Sequence, residues 1–320
     1  MQLRVRSITY LAEDINGYEL VDPNGRDLPR FSAGAHIGVR LGAVESGGVW
    51  RDYSLWNDPA ERRRYCIAVL REKLGEGSRR LHDEIRVGDT VETSLPRNNF
   101  ALADGAERHL LLAGGIGITP IMAMVAELRR RRADFVLHYC TRSPARTAFR
   151  DELDLLAAMG KVVFHYDDGD PAKGLDIAAL LREPQPPGTH LYYCGPAGMM
   201  TAAKAASAEW PADNVHCEYF SGPAAASPAR LEDDRPFAVR LVRSGGEYEV
   251  PAGETILDVL RRHGVETRSS CELGYCGACL TGYVAGEVDH RDPILNETAR
   301  KTHLLICCSR AKSDELVLDL

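Results

Sequence analysis

Three cysteines stand at four- and two-residue intervals in Cys271-Glu272-Leu273-Gly274-Tyr275-Cys276-Gly277-Ala278-Cys279, and the pair Cys307-Cys308 follows. Thiolates so spaced, with a distant fourth, suit a cluster of two irons bridged by two sulfides. Each tetrahedral iron keeps two free positions, so four thiolates complete the site. Gly274 and Gly277 fall where the loop must turn sharply, and glycine takes positive φ without a Cβ penalty. Amides aimed at the sulfides help set the potential. A structural zinc site would show paired two-spacer cysteine elements, and one such element is present. A disulfide scaffold belongs to a small secreted chain. The fourth ligand is Cys307 or Cys308. The run Leu304 to Ser309 reads as strand, where neighbours face opposite ways, so one of the two reaches the cluster and the other is a small buried hydrophobe. Spacing leaves that choice open. His263, His290 and His303 read as solvent-facing, since no cysteine stands two residues away for Rieske-type ligation.

Two further places can hold phosphate. In Arg51-Asp52-Tyr53-Ser54-Leu55 the arginine can grip a phosphate with two donors. Tyr53 shares its strand face and suits a flavin or its ribityl chain, and the Ser54 hydroxyl suits the reactive edge of the ring. In Gly75-Glu76-Gly77-Ser78-Arg79 a glycine-rich turn opens onto a helix, an anion site with a serine donor added. Farther on, Gly114-Gly115-Ile116-Gly117-Ile118-Thr119-Pro120 follows a short apolar run, with Thr119 as cap and Pro120 as first helical residue. Cys194-Gly195-Pro196-Ala197-Gly198 follows another. The first turn is not the G-x-G-x-x-G fingerprint, which excludes the standard dinucleotide motif. Cys194 stands where it can approach a nicotinamide or simply end its strand. Thr141-Arg142 suits the adenosine half, and Arg142 would also suit a 2′-phosphate, so NADH and NADPH both stay open.

These groups need elements to position them. Residues 1–103 read as short strands separated by Gly and Pro clusters: Leu3 to Tyr10, Gly17 to Val21, His36 to Leu41, Tyr53 to Trp56, Arg64 to Leu70 and Thr90 to Leu95. That spacing predicts an antiparallel barrel, with one helix, Ser78 to Ile85, capped by Ser78. Residues 104–222 alternate strand and helix, which predicts a doubly wound parallel sheet with ligands at the carboxyl ends of its strands. The basic run Arg129 to Arg132 closes a helix and complements its dipole. Residues 223–234, rich in Pro, Ala and charge, form a semi-flexible linker. Residues 235–320 read as a small sheet crossed by one helix, Thr255 to His263, and carry the cysteine loop.

The chain has 320 residues, 44% hydrophobic and 27% charged, with a formal charge of -7. That composition is globular and argues against nucleic acid as a partner. No apolar run reaches membrane-span length, and Met1 to Arg6 lacks the core of a signal peptide. Nine cysteines without an export signal predict reduced thiols in a cytoplasm.

Taken together the motifs resemble one family, the reductases of the phthalate dioxygenase reductase and vanillate demethylase reductase type. These feed electrons to Rieske non-haem iron oxygenases. The carriers are Arg51-x-Tyr53-Ser54-Leu55, Pro96-Arg97-Asn98-Asn99-Phe100, Gly114 to Pro120, Cys194-Gly195-Pro196, Glu218-Tyr219-Phe220, the cysteine loop, Cys307-Cys308-Ser309-Arg310-Ala311 and the ending Glu315 to Leu320. The resemblance implies a ferredoxin-reductase-like pair of domains followed by a plant-type ferredoxin β-grasp. It implies FMN on Arg51, Tyr53, Ser54, Ala68, Val69, Leu70, Gly77 and Ser78. It implies NADH on Gly114, Gly115, Gly117, Thr119, Pro120, Thr141, Arg142, Cys194, Gly195 and Pro196, with Phe220 covering the flavin. Ser54, Thr119 and Phe220 would be nearest the reacting atoms. It implies Cys271, Cys276, Cys279 and Cys307 as metal ligands, because one residue separates the family's last cysteine from Ser309-Arg310. A monomer is expected, meeting a terminal oxygenase component transiently. Leu70 and Lys73-Leu74-Gly75-Glu76 depart from the family's loop near the flavin.

Overall fold

A computed structural model describes residues 1–42, 49–72, 76–220, 234–269, 272, 274, 277–292 and 294–320. Gly75, the linker residues 223–233 and the proposed ligands Cys271 and Cys276 lie outside the described residues. The chain forms two compact units, Met1–Glu218 and Tyr219–Leu320.

In the first unit, β1 (Gln2–Ala12), β2 (Ile15–Val21), β3 (His36–Leu41), β4 (Val49–Ser54), β5 (Tyr65–Leu70) and β6 (Thr90–Thr93) make an antiparallel sheet. Its order is β4-β3-β6-β1-β2-β5. A bridge between Leu55 and Ile67 joins the two edge strands, and the Trp56 amide donates to the Cys66 carbonyl at 3.0 Å. The sheet therefore closes into the expected barrel, which leaves no open edge. Leu3, Val5, Ile37, Val39, Ile67 and Val69 alternate into its core. β4 lies earlier than Tyr53 to Trp56 because its register is set by β3. His36, the first residue of β3, pairs with Ser54, and the ladder ends there. Helix α1 (Glu76–Asp83) also begins earlier than expected, so Ser78 is inside it and is not its cap. The Ser78 hydroxyl instead accepts from the Glu72 amide at 3.1 Å.

The strands β7 (Arg108–Gly114), β8 (Asp134–Thr141), β9 (Val162–Tyr166), β10 (Thr189–Cys194) and β11 (Val215–Glu218) form a sheet in the order β11-β10-β7-β8-β9. All four pairings are parallel. Helices α2 (Ile118–Arg131), α3 (Arg150–Ala158), α4 (Ile177–Arg182) and α5 (Ala197–Ala206) connect them. Strand β11 escapes a pattern reading, because the alternation of Val-His-Cys-Glu runs for only 4 residues. The core under α2 also takes Ala12, Ile15, Ala33 and Ala68 from the barrel, which makes barrel and parallel sheet one unit. At the end of α2, Arg130 and Arg131 pair with Glu127 and Arg132 turns left-handed at φ 55.

Two imidazole pairs stack on this sheet, His138 with His165 and His190 with His216, each joined at 3.0 Å between ring nitrogens. Burial, then the partner ring, pushes His138 down to about 4. Burial, then His190, does the same to His216, also to about 4. Unfolding restores both toward 6.5. The unfolded chain therefore binds more protons between about pH 6.5 and 4, and stability falls as pH drops through that window. The melting temperature is expected to decline over that range. A His138→Asn, His216→Asn double variant should show a shallower decline, and an unchanged slope would contradict the assignment.

In the second unit, β12 (Phe237–Leu241), β13 (Glu247–Val250), β14 (Leu280–Ala285), β16 (His303–Leu305) and β18 (Glu315–Leu318) form a sheet in the order β13-β12-β18-β14-β16. β15 (Val288–Asp289) pairs with β17 (Arg310–Ala311), and a short α7 (Glu297–Arg300) precedes β16. β12 runs parallel to β18 and antiparallel to β13. Helix α6 (Ile256–Arg262) buries Ile256, Leu257, Val259 and Leu260 against this sheet. It starts at Thr255, whose hydroxyl accepts from the Asp258 amide at 3.0 Å. A mixed sheet crossed by one helix is the β-grasp expected. Strand β16 stops at Leu305, so Cys307 and Cys308 lie in a turn and not in a strand. The Leu305 carbonyl accepts from the amides of both Cys308 (3.2 Å) and Ser309 (2.9 Å), which folds the chain back. Opposite-face alternation therefore does not separate the two cysteines. His290 is half-buried, its ring against the Arg300 carbonyl at 3.1 Å, contrary to a solvent-facing reading. Among the described residues no helix is long and apolar enough to cross a membrane.

Candidate functional site

Strand order in the parallel sheet reverses between β7 and β10, and a crevice opens at the carboxyl ends of two such strands. Both glycine turns lie there. Gly115–Gly117 is a 3-10 turn after β7, and α2 starts directly from it at Ile118 with Gly117 as N-cap. Thr119 is therefore inside the helix and not its cap, and Pro120 is its third residue. The turn already supplies the helix entry, so the serine-like cap is not needed. The Thr119 hydroxyl, buried, donates to the Ile116 carbonyl at 3.0 Å. A Cβ on Gly117 would lie 2.3 Å from the Cys194 carbonyl oxygen and 2.7 Å from the Gly195 nitrogen. A Cβ on Gly114 would meet Pro196 and Met199, both at 2.6 Å. The two turns thus abut backbone to backbone, which only residues without side chains permit. Cys194 is fully buried; burial, then Glu218 and Cys217, push its thiol well above the usual range, so it stays protonated. Thr141, at the end of β8, shares a hydrogen with Thr147 at 2.8 Å, and Arg142 beyond it is exposed.

The barrel reaches the same crevice through β4. Arg51 and Tyr53 share one face, Asp52 and Ser54 the other. The Ser54 hydroxyl donates to Glu218 at the end of β11, at 3.3 Å. Asp52 accepts from Arg97 at 3.1 Å. His36 sits between the two carboxylates, 3.9 Å from Asp52 and 3.6 Å from Glu218. Sequence reading missed His36 and Asp52. The available signal was a histidine at the head of a run in which Ile37, Val39 and Leu41 alternate; the run around Asp52 has no such alternation. On the other face, a Cβ on Gly77 would lie 2.8 Å from Arg51 Cγ, so the arginine stem lies across the start of α1. Ala68, Val69 and Leu70 close β5, two of them buried. Phe220 is 38% exposed, just past the boundary between units.

In the second unit the described part of the cysteine loop has Glu272, Gly274 and Gly277 at φ 54, 82 and 72. The glycines turn where the spacing predicts. Glu272 is held in its left-handed conformation by Arg261 at 2.7 Å and Ser269 at 2.9 Å, both on its Oε1. Cys279, Cys307 and Cys308 are all buried. The Ile306 amide meets the Cys279 carbonyl at 3.4 Å, which brings the turn carrying Cys307 and Cys308 beside Cys279. A Cβ on Gly274 would lie 2.6 Å from Cys308 Sγ, so that loop residue and this turn pack without a side chain between them.

The phthalate dioxygenase reductase of Burkholderia cepacia is 44% identical over 100% of this chain and 97% of its own. This chain belongs to the phthalate dioxygenase reductase family. Other members are as similar: the vanillate O-demethylase oxidoreductase of Pseudomonas sp. (strain HR199 / DSM 7063), 44% identical with both chains fully covered. The reductase subunit of a tert-butanol monooxygenase from Aquincola tertiaricarbonis is 48% identical over 100% of this chain and 96% of its own. A solved phthalate dioxygenase reductase superposes with a TM-score of 0.73 at 44% identity, covering 100% of this chain and 98% of that one. A self-sufficient cytochrome P450 monooxygenase superposes at 0.84 with 38% identity, over 100% of this chain but 41% of its own. An oxidoreductase NAD-binding domain matches residues 111–205, and a 2Fe-2S iron-sulfur cluster binding domain matches 239–312. The reductase family's chemistry agrees with the residues on hand. The turn that carries Cys307 and Cys308 adjoins Cys279 through the Ile306 amide, and the two glycine turns pack on each other at the switch point.

Proposed function

We propose that this chain carries electrons from NADH through FMN to a 2Fe–2S cluster and on to the terminal Rieske non-haem iron oxygenase component of an aromatic oxygenase or demethylase. It acts as a cytoplasmic monomer that meets the oxygenase transiently. The observation that carries this reading is the Ser54–Glu218 hydrogen bond at 3.3 Å. It brings the barrel strand with the Arg-x-Tyr-Ser motif to the carboxyl edge of the parallel sheet, where a flavin edge and a nicotinamide would meet. When bound, flavin takes a hydride's two electrons and gives them up singly. The chain's residues bind and orient. Arg51 would hold the flavin phosphate with two donors, helped by Ser78 and Gly77 at the start of α1. Tyr53 and β5 line the flavin, and the Ser54 hydroxyl holds its reacting edge. Gly114, Gly115, Gly117 and Gly195 admit the dinucleotide, with Thr119 and Pro120 at the head of α2 and Cys194 at the end of β10. Thr141 and Arg142 meet its adenosine half. Phe220 would cover the flavin or yield to the nucleotide. Cys271, Cys276, Cys279 and Cys307 hold the cluster.

Arg51→Ala is expected to cut FMN retention on gel filtration by at least about tenfold, the loss of one charge-assisted bidentate contact. Retention equal to wild type would place the phosphate elsewhere. The likeness to a self-sufficient P450 favours a second reading in which a haem monooxygenase is the acceptor. Mixing the NADH-reduced chain anaerobically with a Rieske oxygenase and with a P450 separates the two. Rapid reduction of the Rieske centre supports the first, and reduction of the haem alone contradicts it.

A further inference from the structure

His36 is a polar side chain in an apolar stretch of barrel wall. It is 4% exposed, between buried Ala35 and Ile37. Across the ladder it pairs with Ser54, and Gly38, two residues on, pairs with Asp52. Both partners therefore share its face. From β11, Glu218 Oε1 lies 3.6 Å from His36 Nδ1, while Asp52 Oδ2 lies 3.9 Å from Nε2. The remaining oxygens are engaged: Asp52 Oδ1 accepts from Arg97 at 3.1 Å, and Glu218 Oε2 accepts from Ser54 at 3.3 Å. Neither ring nitrogen has a hydrogen-bond partner among the described residues, nor does Asp52 Oδ2. A Cβ on Gly38 would crowd Asp52 Oδ1 and Trp50, each at 3.1 Å, so the glycine leaves Asp52 its place. A buried ring without a hydrogen bond is costly, and this one persists with one carboxylate 3.9 Å and another 3.6 Å from its two nitrogens, one from each layer of the unit.

We propose that His36 is a positioning residue, a strut between Asp52 of the barrel and Glu218 of the nucleotide layer that fixes the carboxylate on which the Ser54 hydroxyl depends. The inference rests on the reading that flavin lies beside Ser54. Its role is to hold Ser54 in one orientation, and it acts through Glu218.

The test uses the full chain with its FMN content measured first. A wild-type chain without FMN overturns the reading of the site and not the role of His36. With FMN present, His36→Leu leaves two carboxylates facing an apolar side chain. FMN released on dilution, read by its fluorescence, should rise about tenfold, with kcat for ferricyanide reduction down by a similar factor and KM for NADH within about twofold. Glu218→Gln alone should also weaken retention. Added to His36→Leu it should restore retention, because one of the two facing charges is gone. A space-filling role gives a loss in each variant and a larger loss in the double variant, with no reversal of sign. Additive losses, or a His36→Leu chain that retains FMN and turns over like wild type, overturn the proposal. If His36→Leu does not fold, His36→Asn combined with Glu218→Gln applies the same criterion.

Discussion

A Cys307→Ser chain is expected to reduce ferricyanide with NADH at close to the wild-type rate and to lose cytochrome c reduction by at least about a hundredfold, since thiolate is the ligand that such a cluster requires. Ferricyanide needs only the barrel and nucleotide layers, which form one unit with its own core. Cytochrome c is expected to draw its electrons from the cluster of the second unit. Cys307 is 1% exposed in the turn that follows β16, and that turn is hydrogen-bonded to Cys279 through the Ile306 amide. A serine oxygen there is a hard, protonated donor where a soft thiolate is needed. Cys308→Ala is the control. It keeps a small buried group in the turn, and it should keep acid-labile sulfide and the visible absorption of the cluster. A Cys308→Ala chain that loses sulfide, with Cys307→Ser retaining it, would reverse the assignment of the fourth ligand.

Gly117→Ala should produce a comparable loss at the other end of the path. The position has an ordinary helical conformation, φ -63, so backbone strain is not the cause. The added methyl would stand 2.3 Å from the Cys194 carbonyl oxygen and 2.5 Å from its carbon. Those atoms belong to a buried strand end and cannot swing aside. The turn must move out of the crevice, and overpacking of this kind costs about 1–3 kcal/mol. KM for NADH should rise by about one to two orders of magnitude if that cost falls on nucleotide binding. Flavin content should stay unchanged, because the contact lies wholly within the parallel layer. A variant with wild-type KM would show that the nucleotide does not use this turn.

How much of this was legible in the sequence differs between the parts. The parallel strands other than β11 were, most plainly β7, whose burial on both faces reads as the short continuous apolar run His109 to Ala113. The glycine turns were, because their backbones touch and nothing larger fits. Boundaries were less so where register decides them. β4 ends at Ser54 because its partner begins at His36, and no local feature of Tyr53 to Trp56 carries that fact. Helix starts were misplaced at Ser78 and Thr119 for one reason. A hydroxyl residue near a helix start reads as a cap, yet both hydroxyls have another use, on the Glu72 amide and the Ile116 carbonyl. Strand β11 was invisible, and with it the position of Glu218. The polar cluster of His36, Asp52, Arg97 and Glu218 brings together four residues far apart in the chain. Only the closed barrel against the sheet puts them within 4 Å of one another in sequence-distant pairs.

The most direct measurement is an anaerobic titration of the purified, FMN-loaded chain with NADH, followed by visible absorption and by electron paramagnetic resonance of the frozen samples. A flavin and a one-electron cluster in one chain should take up about 1.5 equivalents of NADH. The flavin band should bleach and the signal of a reduced two-iron cluster should appear, at about one spin per chain. Bleaching of the flavin complete at about one equivalent of NADH, with no cluster signal at any point, would contradict a path that joins the two halves of this molecule.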